Sequence, residues 1–171
     1  MSKYSSPKDR QDAARSPVTS PDELYQLAMS DYGFVRLAVA RNPNARPDTL
    51  RRLLPLTLSS WNDQDLAAAI IEHPGSSQEL LALIAGMLVP VLDNGRDNHM
   101  AFRAGMLLCS QPTVDFTTIR KLLDAPTVAT QFRKVVAREC TRADVVAHLS
   151  TNRSETVRRR ALENLVKLGA A

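Results

Sequence analysis

Residues 34–54 read FVRLAVARNPNARPDTLRRLL, two short helical stretches separated by a break. Phe34 to Arg41 has the apolar spacing of a helix and is closed by Asn42-Pro43. Pro43 has no N–H to continue a helix, and it biases Asn42 away from the α region. After Asn44-Ala45-Arg46, Pro47-Asp48 opens a second helix. Proline suits the first helical position, and an acid suits the positive end of the dipole. Leu50, Leu53 and Leu54 then fall on one face.

The pattern recurs along the chain. Leu66–Pro74 (LAAAIIEHP) and Ala104–Pro112 (AGMLLCSQP) align with Val35–Pro43 without a gap. Phe132–Cys140 (FRKVVAREC) and Val157–Leu165 (VRRRALENL) are further first-helix copies. Second-helix copies follow at Gln78, Leu81 and Ile84, at Phe116, Ile119 and Leu122, and, after a one-residue slip, at Val146 and Leu149. Upstream, Ser20-Pro21-Asp22-Glu23-Leu24 is a second-helix copy without a visible partner, and it carries a capping box with Ser20 as N-cap. First-helix spacings are 31, 38, 28 and 25 residues, and second-helix spacings are 26, 31, 38 and 27. Both series lengthen at the same places, as insertions between intact units would cause. The unit is about 25 residues, within the range of solenoid repeats. Helices this short are marginal alone, so each must bury its face on the next repeat. The expectation is an all-α solenoid of short helix pairs in one domain over 16–168. Insertions are expected near 55–63 and 86–100, the latter marked by the turn signal Asp93-Asn94-Gly95, with a flexible tail over 1–15.

Composition agrees with helices. Of 171 residues 44% are hydrophobic but only 5% aromatic, so the core is aliphatic. Met1 to Arg15 lacks the apolar region of a secretory signal, and Leu80–Leu92 is broken by Gly86 and Pro90, too short a run for a bilayer. The chain reads as soluble and cytoplasmic. Cys109 and Cys140 read as reduced core thiols. Residues 1–100 carry −2 and residues 101–171 carry +6, a balance that either forms a solvated face or attracts an acidic partner.

Val35–Leu54 resembles the variant leucine-rich repeat of bacterial proteins, through its Val-Arg opening, Ala-rich helix, Asn-Pro and Pro-Asp-x-Leu-x-x-Leu-Leu. The resemblance covers 16–168 and is strongest over 16–54. It implies a right-handed superhelix of alternating α and 3₁₀ or short α helices, with no strands. The later copies, with His73-Pro74 and Gln111-Pro112 for Asn-Pro, are similar to general HEAT-like helix pairs. Some members of that family carry an iron–sulfur module with clustered cysteines. The first hundred residues here hold none, so no cofactor is expected.

Eight residues are candidate partner contacts. Arg36, Arg133 and Arg158 share one register and Arg41 and Arg138 another, with Arg159 and Arg160 close by. Such a row either binds carboxylate or phosphate, or holds neighbouring repeats together. Trp61, in the first insertion, is either an exposed anchor or a residue that packs the loop down. His73 occupies the helix-terminating slot, where a cation helps the last carbonyls, and His99 and His148 stand apart. No metal-ligand spacing, phosphate loop or nucleophile motif is present. The expected function is a non-enzymatic scaffold for protein–protein interaction. Nucleic-acid binding through the basic half is the alternative, although the region lacks the aromatic residues for base stacking. A HEAT-like DNA glycosylase would need a carboxylate and aromatics around a flipped base, and no such set is seen.

Overall fold

The computed structural model describes residues 4–93 and 99–169. Among them are eleven α-helices, one 3₁₀ turn at Val89–Val91, and no strand. They fall into two compact units, one reaching to Leu80 and the other starting at Leu81.

In the first unit, α1 (Pro7–Arg15), α3 (Gly33–Ala40) and α5 (Trp61–Glu72) form a row in which α1 packs on α3 and α3 on α5. α2 (Pro21–Leu27) and α4 (Pro47–Leu53) form a second row beside it. α6 (Gln78–Leu88) spans the division. In the second unit, α7 (His99–Ser110), α9 (Thr130–Glu139) and α11 (Glu155–Lys167) form the first-helix row. α8 (Phe116–Asp124) packs on α10 (Ala143–Leu149). The expected positions fill the core: Val35, Leu66, Ala104, Phe132 and Val157 from first helices, and Leu24, Leu50, Leu81, Ile119 and Val146 from second helices, are all buried. The second helices are α-helical.

Residues 7–15, expected within a flexible tail, form α1. Its sequence signal is weak because only Ala14 is buried, so no apolar period shows. The repeat shows instead from the end of this helix onward, where RSPVTSPDEL at 15–24 aligns with RNPNARPDTL at 41–50. α1 is thus the missing partner of the Ser20–Leu24 copy. Ser20 caps α2 by accepting from the Glu23 N–H at 3.3 Å, and the Glu23 carboxylate accepts from the Tyr4 hydroxyl. Around 86–100, α6 runs on to Leu88. The expected turn at Asp93-Asn94-Gly95 lies, from residue 94 on, outside the described residues.

Candidate binding groove

The repeat-equivalent polar residues bind the main chain of the preceding repeat. Asn42, in the Asn-Pro slot, donates from Nδ2 to the carbonyls of Ala14 at 2.8 Å and Ser16 at 2.9 Å, at the end of α1. His73, in the same slot one repeat on, meets the Asn42 carbonyl through Nε2 at 2.9 Å. Its Nδ1 accepts from the Gly75 N–H at 2.9 Å, so the proton sits on Nε2, which donates. The helix-end cation role expected of His73 is replaced by this buried tie. In the second unit Asn164, again in that slot, donates to the Cys140 carbonyl at 2.9 Å. Cys140 Sγ donates to the Cys109 carbonyl at 3.4 Å, and both thiols are free and buried. Burial pushes both above an ordinary thiol pKa. Within each unit, therefore, successive first helices end side by side and run parallel.

The arginines divide by what they touch. Arg133 donates at 2.7 Å to each of the carbonyls of Leu123, Ala125 and Val128, closing the C-terminus of α8. Burial pulls its pKa below that of an ordinary arginine, while the Asp124 charge opposes this. Arg158 donates to the Asn152 and Arg153 carbonyls at 2.8 and 2.9 Å. Arg142 spans the Gln111 and Val114 carbonyls at 3.0 and 2.6 Å. Of the register Arg36, Arg133 and Arg158, two members thus hold turns of their own fold. Arg36 differs, since its Nε is buried without a hydrogen-bond partner. Gly105 holds the same register in α7, and a Cβ there would come within 2.7 Å of the Phe132 ring. The gap in the row is room for that ring.

The remaining candidates are scattered. Arg41 pairs with Asp65 at 3.4 Å in the first unit. Arg138 pairs with its neighbour Glu139, and Arg159 reaches Glu163 at 3.9 Å. Arg160 is half-buried on α11. Trp61 opens α5 and is 64% exposed, so it does not pack the loop down.

One concavity in the second unit was not expected. A groove of about 840 Å³ runs along two second-to-first-helix turns one repeat apart, 123–130 and 148–154. Of the eight candidates only Arg133 lines it. Leu123 and Pro126 give it apolar ground, and His148, Arg153, Thr130 and Asn152 supply polar groups. A shelf of about 440 Å³ adjoins it at Asp124 and carries the exposed Arg120 and Lys121. Asp124 is the one acid lining either hollow among the described residues. It is engaged twice, by His148 Nε2 at 2.8 Å and Arg120 Nε at 3.3 Å. The groove is accordingly basic in character. His148 is not isolated: it ties α10 to α8 with the edge of Phe116 against its ring, centroids 5.9 Å apart. The 24-residue separation of Asp124 and His148 equals that of Asp22 and Arg46, paired at 2.8 Å between α2 and α4. The pair was missed in the sequence, and that shared interval is a signal that could have found it. The pair reads as a brace between repeats, with its carboxylate occupied.

Among the described residues no cluster of acids, histidines or cysteines has the makings of a metal site, and no helix is long and apolar enough to cross a membrane. No curated protein and no solved structure matches the chain. Residues 33–55, which comprise α3, its turn and α4, match the family model of the leucine rich repeat variant.

Proposed function

We propose that this chain is a non-enzymatic helical-repeat scaffold that holds an extended, acidic segment of another protein in the groove formed by residues 123–130 and 148–154. Each unit is read as a section of a right-handed α-solenoid, in keeping with the repeat match at 33–55. The observation that carries the reading is the groove itself. It is long, open, apolar at Leu123 and Pro126, and rimmed by the cations Arg120, Lys121 and Arg153, of which Arg120 is paired with Asp124. An extended segment offers carboxylates to Arg153 and Lys121 and side chains to the apolar ground. The duplex alternative loses support because Arg133, Arg142 and Arg158 spend their guanidinium groups on carbonyls, leaving fewer cations for phosphate. In the first unit, exposed Trp61 is proposed as a separate anchor.

The test is fluorescence anisotropy with a labelled peptide of alternating acidic and aliphatic residues, run beside a labelled DNA duplex of similar length. The peptide is expected to bind, and Arg153→Glu with Lys121→Glu to weaken it at least ~10-fold, two charge contacts reversed. Arg159→Glu, away from the groove, leaves it unchanged. Binding of the duplex alone, with affinity falling steeply as salt rises, overturns the proposal in favour of a nucleic-acid partner.

A further inference from the structure

The position five residues after the start of each first-helix copy is occupied by Ala40, Ile71, Cys109 and Ala137. Each is at most 1% exposed. In α11 the same position is Leu162, and it is 55% exposed. One turn on, Val166 is 67% exposed. α11 therefore turns its other side, with Val157, Ala161 and Leu165, onto α9 and α10, and leaves bare an apolar row that begins at Leu162, whose register is covered in every earlier copy.

The charges that flank the row point to its occupant. Glu155, Arg159, Glu163 and Lys167 succeed one another at four-residue intervals, alternating in sign. Residues so spaced share one side of a helix, here next to Leu162 and Val166. Set antiparallel to itself about the level of residue 161, this series is self-complementary: Glu155 faces Lys167 of a second copy, and Arg159 faces Glu163. The same alignment brings both Leu162 side chains within one residue of the two-fold axis. Parallel pairing in register would oppose like charges. A two-fold interface needs this property, the same patch matching itself.

We infer that α11 is a self-association surface, pairing antiparallel with α11 of a second copy of this chain through Leu162 and Val166 between two alternating charge rows. A single helix pair is a small interface, so the dimer is weak and forms at high concentration. The inference is independent of the groove reading, because neither Leu162 nor the charge row lines the groove.

Sedimentation equilibrium of the full chain tests it, over about 10 to 500 μM, the range in which small interfaces associate. The mass is expected to rise from 18.9 kDa toward twice that value. Leu162→Glu holds it at the monomer, and Val166→Glu does the same, so a misfolded variant at either position leaves the other to decide. Arg159→Glu weakens association at least ~5-fold, and Arg159→Glu with Glu163→Arg restores it, because the swapped row is again self-complementary. A mass fixed at the monomer throughout overturns the inference. So does a dimer indifferent to both apolar substitutions, or a swap as weak as the single reversal.

Discussion

At Asn42 one side-chain amide meets three main-chain groups. Its Nδ2 serves the Ala14 and Ser16 carbonyls, and its Oδ1 accepts from the Asn44 N–H at 3.0 Å. It is 2% exposed, so water replaces none of these readily. Asn42→Ala should cost about 2–4 kcal/mol in urea unfolding, since it strands two acceptors and a donor. Arg133 and Arg36 share a register but not an environment. Arg133→Met removes three 2.7 Å bonds and should cost about 2–4 kcal/mol, whereas Arg36→Met frees a buried unpartnered Nε and should stay within about 0.5 kcal/mol. Equal losses at the two sites would show that register alone sets their role. Gly105→Ala should cost about 1–3 kcal/mol by driving the Phe132 ring aside, and Phe132→Leu in the same chain should recover part of it. The sequence placed these arginines in one row. It did not show that two of them face carbonyls, because a carbonyl partner leaves no trace in side-chain composition.

At the level of the helix, the apolar period located first and second helices wherever both faces of a repeat are covered. It failed at α1, which buries Ala14 alone, and it placed Trp61 in a loop where Ser60 instead caps α5 by accepting from the Asp63 N–H. The cap-and-proline signals around Ser20 and Pro47 were legible, since they depend on local backbone chemistry. α1 is also tied through the segment before it. Burial, with Glu23 adding to it, raises the Tyr4 hydroxyl to about 12. A folded pKa above the unfolded value of about 10 gives stability that is complete below pH 10 and lost as pH rises toward 12. The stability difference between the wild type and Tyr4→Phe should therefore be constant up to about pH 10 and narrow by about pH 11.5. Denaturant titrations at those values check this, and a difference that stays constant through pH 11.5 would place the Tyr4 hydroxyl in water.

Across the whole molecule the excess of positive charge after residue 100 overstated what is free to meet a partner. Arg133, Arg142 and Arg158 are turned to the main chain, and Arg120, Arg138 and Arg159 have acids beside them. The groove at 123–154 escaped the sequence because its walls are two turns from different repeats, and turn residues such as Pro126, Thr130 and Asn152 obey no apolar period. The repeat was legible because covering one helix with the next forces a fixed interval on apolar residues. The repeat also shows in the polar slot of Asn42, His73 and Asn164, which fastens α3, α5 and α11 to main-chain carbonyls one repeat back. Side-chain amide hydrogen exchange by ¹⁵N NMR tests that fastening most directly, with the exposed Asn62 as internal reference. The Nδ2 protons of Asn42 and Asn164 should exchange at least ~100-fold more slowly than those of Asn62, as buried bonded groups do. Exchange of both at the Asn62 rate would contradict it.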